Sequence, residues 1–222
     1  MKNHFFAVIF DMDGVIVDSN PYHRIALEKF CEAYGYHLSD KEMREKIFGR
    51  TNKDWLPRLF GRELPEKEFL KLEEEKERIF RKLIEPDIVP VTGLLNFLEK
   101  LKERDIPRAI ATSAPPANVR FTLEKTGSAG FFETVIDGTM VTHSKPHPEI
   151  YIKTAKSIGF DSDRCVVIED SLSGIASARK AGCPVIGITT THSADELIDT
   201  RMTINNFNEL KLRDLFRLFD EN

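Results

Sequence analysis

Six short, near-continuous apolar runs constrain this chain more than any other feature: FFAVIF at 5–10, PRAIAT at 107–112, TVID at 134–137, RCVVIE at 164–169, PVIGI at 184–188 and MTI at 202–204. A strand with one wet face alternates apolar and polar residues, whereas a strand covered on both faces need not. Runs of this kind therefore ask for helices on both sides of a parallel sheet. Helical patterns do lie between them, at 93–103, 117–125, 148–157 and 171–180. Gly127, Gly159 and Gly182 follow three of these segments, where a left-handed C-terminal cap is wanted. Strand and helix alternate, which predicts a doubly wound, Rossmann-like α/β core built on a parallel sheet.

Between the first two runs the pattern breaks. Residues 18–87 hold no convincing strand. Ser19-Asn20-Pro21 opens a helix running to about Tyr34, with Pro21 suited to a first helical position. Ser39 and Glu42 are spaced as a capping box, Thr51 is placed to cap a third helix, and Pro65 opens a long fourth. On that fourth helix Phe69, Leu72, Ile79, Phe80 and Leu83 form an apolar stripe. Its run KLEEEKERIFRK reads as a solvated face of mixed charge rather than a nucleic-acid or partner-helix surface. The expected division is residues 1–17 in the core, 18–87 in an inserted all-helical cap, and 88–222 in the core again. Two adjacent connections predict a lid that rocks on the core.

Charge and cysteine usage narrow the setting. The formal net charge is -4, so no global basic excess exists to hold a nucleic-acid backbone. The apolar run at 5–10 is too short for a signal peptide, and no segment is long enough to span a bilayer. Cys31, Cys165 and Cys183 are odd in number, far apart and without zinc spacing, which predicts free core thiols in a reducing compartment. The expectation is a cytoplasmic enzyme for a small metabolite, with no membrane partner. A monomer is the simplest arrangement, and the sequence leaves the oligomeric state open.

In an open α/β sheet, ligands bind beyond the carboxyl ends of the strands. After the first run comes Asp11-Met12-Asp13-Gly14, and after the second come Thr112 and Ser113. Lys145-Pro146 lies in the loop beyond the third, and Glu169-Asp170 end the fourth. Two pairs of acids aimed at one place repel unless something cationic offsets them. A hard divalent ion is the natural resolution, and magnesium suits an oxygen-only site. His143 and His147 flank Lys145 and read as loop polarity, without a second metal-ligand set; His192 reads as part of a helix cap and Trp55 as packing.

The order FDMDGVIVDS, ATS, SKPHPEIY, VIEDSLSGI resembles the haloacid dehalogenase superfamily, over nearly the whole chain from Phe5 to about Asn206. Within it the chain is similar to β-phosphoglucomutases and small-molecule phosphatases with a helical cap. The resemblance implies that Asp11 attacks phosphorus to form an aspartyl-phosphate. Asp13 would protonate the leaving oxygen and then activate the incoming hydroxyl or water. It further implies magnesium on the Asp11 carboxylate, the Asp13 backbone carbonyl and Asp170, with Glu169 supporting through water. Thr112 and the Ser113 N–H would hold the phosphoryl oxygens, and Lys145 would balance their charge.

The branch divides by acceptor: water in a phosphatase, a bound sugar phosphate in a mutase. His23 matches a mutase histidine that couples cap closure to catalysis. The mutases hold their second phosphate with cations in the cap and a Ser-Lys-Asn run in the core. Here the cap motif reads Phe48-Gly49-Arg50-Thr51-Asn52, so that Phe48 and Asn52 stand where the two mutase cations belong and Arg50 is close enough to substitute, and the core loop reads Ala114-Pro115-Pro116. Prolines supply no N–H. The substrate-facing candidates are therefore His23, Gly49, Arg50, Thr51, Asn52 and Ala114. The reading is a magnesium-dependent phosphohydrolase for a small phosphate monoester such as a sugar or polyol phosphate. A β-phosphoglucomutase is the first alternative. A catalytically retired binding or regulatory protein is the second, and it predicts loss of at least one essential acid.

Overall fold

A computed structural model describes residues 5–39, 41–43 and 51–220. Its described elements, in chain order, begin with β1 (Ala7–Phe10), α1 (Asn20–Ala33), α2 (Asn52–Phe60), α3 (Glu66–Ile84) and α4 (Leu94–Glu103). β2 (Arg108–Ala111), α5 (Pro116–Lys125), β3 (Thr134–Ile136) and α6 (Glu149–Ser157) follow. The chain ends with β4 (Cys165–Glu169), α7 (Leu172–Lys180), β5 (Val185–Ile188), β6 (Met202–Ile204) and α8 (Leu212–Asp220). The six strands form one sheet in the order β3-β2-β1-β4-β5-β6, and every neighbouring pair is parallel. The predicted core architecture is thus the observed one, with boundaries shifted by a residue or two where ladder pairing stops.

The division of side chains between the two faces explains the unbroken apolar runs. Phe6, Val8 and Phe10 pack with Leu94, Phe97, Leu98, Val119 and Leu215 on one face, while Ala7 and Ile9 pack with Ile150, Tyr151, Ile175 and Ala178 on the other. Both sets are out of water, so neither parity along β1 can be polar. One helix was not anticipated. α8 buries Leu215 and brings the rings of Phe216 and Phe219 to 5.0 and 5.3 Å from that of Phe6. The strand order also sets the site. β2 and β3 extend from one side of β1 and β4 to β6 from the other, so the crevice where the order reverses opens at the carboxyl ends of β1 and β4.

The chain divides into two compact units, Met1–Asp18 with Ile88–Asn222, and Ser19–Asp87. The second is all-helical in its described part. Ser19 and Thr51 occupy N-cap positions, Pro65 precedes α3, and Ser39 and Glu42 exchange capping-box bonds of 3.0 and 3.3 Å. Its apolar core gathers Leu27, Phe30, Cys31, Met43, Trp55, Leu56 and Leu72, so Trp55 is a packing residue as expected. Phe48, Gly49 and Arg50 lie outside the described residues.

The expectation of a solvated charged face on α3 fails at two positions. Lys76 and Glu77 are buried, and their side chains pair at 2.9 Å. Lys76 Nζ also lies 3.0 Å from His23 Nδ1, whose ring stacks on Phe80 at 3.6 Å. Asn52 donates its amide to Glu77 and Glu73, at 2.9 and 3.1 Å, and accepts from the Trp55 indole. A buried charge is tolerated only with its partner present. Lys76→Met is therefore expected to cost about 3 kcal/mol or more in a urea transition. A double variant that also replaces Glu77 with Leu should recover most of it. Equal stability of the wild type and the single variant would contradict this account of the pair.

Candidate active site

The loop after β1 is held by its own backbone. Asp11 N–H donates to Ile168 O on β4 at 3.0 Å, which ties the end of β1 to the strand that carries the second acidic pair. The Met12 side chain is buried, and its carbonyl accepts from Val15 and Ile16 at 3.2 and 2.8 Å. Gly14 has φ 81°, a left-handed conformation that side chains disfavour, and its N–H reaches Val17 O at 2.7 Å. The Thr190 hydroxyl, from the loop after β5, donates to Gly14 O at 2.6 Å. This tight turn places Asp11 and the half-buried Asp13 two residues apart at the crevice.

Three further segments reach the same edge. Thr112 follows β2 and is buried; its hydroxyl oxygen accepts the Ala114 N–H at 3.1 Å, which leaves the hydroxyl hydrogen to be donated elsewhere. Ser113 beside it is exposed. The loop after β3 carries Lys145 to Asp11 Oδ1 at 2.7 Å and to Glu169 Oε1 at 2.7 Å, with only 7% of the lysine side chain exposed. Asp170 is buried, and its Oδ2 accepts from the Thr191 hydroxyl.

Glu169 accepts hydrogen bonds on both of its carboxylate oxygens. Lys145 and the Tyr151 hydroxyl donate to Oε1, while Asp170 N–H, Ser171 N–H and the Ser171 hydroxyl donate to Oε2. Gly174 makes this possible, because a Cβ there would lie 1.6 Å from Glu169 Oε1.

Electrostatics follow from this crowding. Asp11, Glu169 and Asp170 each bring a carboxylate oxygen within 4.8 Å of one another, and one ammonium serves them. Burial, reinforced by Glu169 and Asp13, outweighs Lys145 and pushes Asp11 up to about 8. Burial and the charges of Glu169 and Asp11 hold Asp170 well above the carboxylate range. Burial would raise Glu169 too, but Lys145 and its hydrogen bond bring it below its ordinary value. An all-oxygen cluster with excess negative charge, out of water, is an environment that a hard divalent cation fits.

Of the sequence candidates, the structure brings Asp11, Lys145, Glu169 and Asp170 into contact, with Asp13, Thr112, Ser113 and Ala114 on the adjoining loops. His23, Thr51 and Asn52 belong to the helical unit. One reading needs correction. His143, His147 and Glu149 do converge, with ligand atoms within 4.8 Å, so a second possible metal-ligand set exists on the exposed loop. Glu149 is occupied there by the N–H groups of Thr142 and His143 and by Lys153, and so braces the loop that carries Lys145. Sequence reasoning passed over Tyr151, Gly174, Thr190 and Thr191. The two threonines stand just past the end of β5, and the rule of looking beyond carboxyl ends could have found them.

Comparison with known proteins agrees with this geometry. The sequence profile described as haloacid dehalogenase-like hydrolase matches residues 8–188. The chain is 33% identical over 181 residues to a phosphorylated carbohydrates phosphatase of Thermotoga maritima, covering 79% of this chain and 81% of that one. It is 27% identical over 191 residues to a β-phosphoglucomutase of Bacillus subtilis, covering 82% of each. Among solved structures, a HAD hydrolase of family IA, variant 3, from Entamoeba histolytica superposes with a TM-score of 0.88 at 32% identity, covering 97% of this chain and all of that one. A profile spanning most of the chain, set on an acid-lysine-acid cluster at the switch point, leaves one assignment: the chain belongs to the haloacid dehalogenase-like hydrolases, as an enzyme of their β-phosphoglucomutase-like phosphatase branch.

Proposed function

We propose that the enzyme hydrolyses a small phosphate monoester, a phosphorylated sugar or polyol, through an aspartyl-phosphate on Asp11. The observation that carries this reading is the buried Asp11 carboxylate in contact with Lys145, beside Asp170. Asp11 attacks phosphorus, and the P–O bond to the leaving group breaks. Asp13 gives that oxygen its proton, then takes one from the water that attacks the phosphoenzyme, which frees phosphate and restores Asp11. Thr112 and the Ser113 N–H hold the phosphoryl oxygens, and Lys145 offsets their charge. Magnesium would be held by the Asp11 carboxylate, the Asp13 main-chain carbonyl and Asp170, and would supply charge neutralisation when bound. The enzyme works in the cytoplasm, a setting that the three buried free cysteines support. Among the described residues no helix is long and apolar enough to cross a membrane.

Two features favour water as the acceptor. α5 begins with Pro115 at its N-cap and Pro116 at its first position, so neither offers an N–H to a second phosphate. Asn52, where the mutases carry a cation, is neutral and has its amide engaged by Glu73 and Glu77. The phosphorylated carbohydrates phosphatase among the relatives supports the substrate class. A screen of phosphorylated metabolites with magnesium tests the reading by phosphate release. Efficient conversion of β-glucose 1-phosphate to glucose 6-phosphate in the presence of the bisphosphate would favour the mutase instead.

The cation part is tested by stability as well as rate. Chelation is expected to abolish turnover. Magnesium at about a hundred times its dissociation constant should add about 2.7 kcal/mol of stability, read as a rise in Tm. Asp170→Asn should remove most of that rise. A wild-type Tm indifferent to magnesium would contradict the assignment of the cluster.

A further inference from the structure

Tyr151 is a buried tyrosine for which the reaction above has no use. Its ring packs in the apolar layer with Ile9, Ile150 and Ala155, a task that phenylalanine would perform as well. The hydroxyl must therefore be explained separately, since a buried O–H without a partner is costly. It donates to Glu169 Oε1 at 2.9 Å, the same oxygen that Lys145 Nζ contacts at 2.7 Å. The ammonium also sits 4.9 Å from the centre of the Tyr151 ring, within cation–π range. Burial and the charge of Glu169 keep the hydroxyl protonated, so it acts as a donor.

Lys145 is shared between two carboxylates, Asp11 Oδ1 and Glu169 Oε1, each at 2.7 Å. The division of that ammonium matters, because charge spent on Glu169 is withdrawn from the phosphoryl group. Glu169 cannot turn away, as its Oε2 is held by Asp170 N–H, Ser171 N–H and the Ser171 hydroxyl. Its Oε1 has two lone-pair directions, and Tyr151 fills one of them. We infer that Tyr151 is a positioning residue: by occupying Glu169 Oε1 with its hydroxyl and lying against Lys145 with its ring, it holds the ammonium toward Asp11. Without the hydroxyl, Oε1 has a free lone pair, and Lys145 settles onto Glu169.

The inference rests on the aspartyl-phosphate reading, and the test separates the two. Tyr151→Phe is expected to lower kcat roughly tenfold, the scale of a hydrogen bond to a charged group, with KM changed by less than about twofold. Inhibition by tetrafluoroaluminate, which imitates the transferring phosphoryl group, should weaken by the same factor, while inhibition by inorganic phosphate should not. 4-Aminophenylalanine at position 151 keeps a donor at the same place and should restore kcat to within about threefold of wild type. This variant also decides the matter if Tyr151→Phe is not recovered folded; a folded, donor-bearing enzyme with a tenfold lower kcat overturns the inference. So does a wild-type kcat in Tyr151→Phe, or a loss that merely follows the folded fraction. An inert Asp11→Asn beside a fully active Tyr151→Phe would sink the inference alone, whereas an active Asp11→Asn would sink the underlying mechanism.

Discussion

Asp11→Asn is expected to reduce turnover by at least about four orders of magnitude while leaving the magnesium-free protein as stable as before, or more so. The amide has nearly the shape of the carboxylate but no anionic oxygen to attack phosphorus. Stability should not suffer, because Asp11 is a strained occupant of its place. Burial, with Glu169 and Asp13 close by, pushes its carboxyl up to about 8 despite Lys145. Removing one of several crowded acids relieves that repulsion, and Lys145 keeps Glu169 as its partner at 2.7 Å. A site built for chemistry gives up stability in this way. Phosphate release with magnesium and thermal melts without it, on the same preparation, check both halves. Unchanged turnover would remove Asp11 from the mechanism.

Asp13→Asn should lower turnover by about two to four orders of magnitude, and the loss should depend on the leaving group. An alkyl phosphate such as a sugar phosphate releases a strongly basic oxygen, which needs the proton that Asp13 supplies. A nitrophenyl phosphate releases a weakly basic one. Phosphoenzyme formation from the aryl ester should therefore survive far better than from the alkyl ester. Its breakdown should remain slow with both, because the attacking water still lacks its base. A rapid burst of nitrophenol followed by a slow steady state is the expected trace. Equal losses with both esters and no burst would assign Asp13 a different role.

The core was legible because burial on both faces leaves a mark in the sequence. β1 and β4 are apolar at every position facing either layer, and the acids that interrupt them stand at the strand ends, where chemistry is done. α8 was overlooked although Leu212, Leu215 and Phe219 repeat at helical spacing. It follows a string of turns, and its purpose, covering Phe6, is visible only in three dimensions. Lys76 and Glu77 carry no local sign of burial, since a charged run on a helix looks the same whether or not two of its members turn inward. Asn52 could be recognised as a missing cation, but its engagement with Glu73 and Glu77 depends on the packing of α2 against α3. Tyr151 was hidden by its ordinary position in an apolar helix face; only the distance to Glu169 separates it from a phenylalanine. Gly174 is similar, because the carboxylate it accommodates lies five residues earlier in the chain. Motif residues could be read one at a time, whereas those that act by occupying a neighbour's lone pair or leaving it room could not.

The central claim is a covalent phosphoryl group on Asp11, and acid quenching tests it most directly. Asp13→Asn enzyme is mixed with magnesium and radiolabelled nitrophenyl phosphate, the ester from which the phosphoenzyme should still form quickly, stopped in acid within one turnover, digested and mapped. The account predicts label on the peptide containing Asp11, stable in acid and released by hydroxylamine, as an acyl phosphate should be. Protein without label while phosphate is still being released, or label on any other residue, would contradict it.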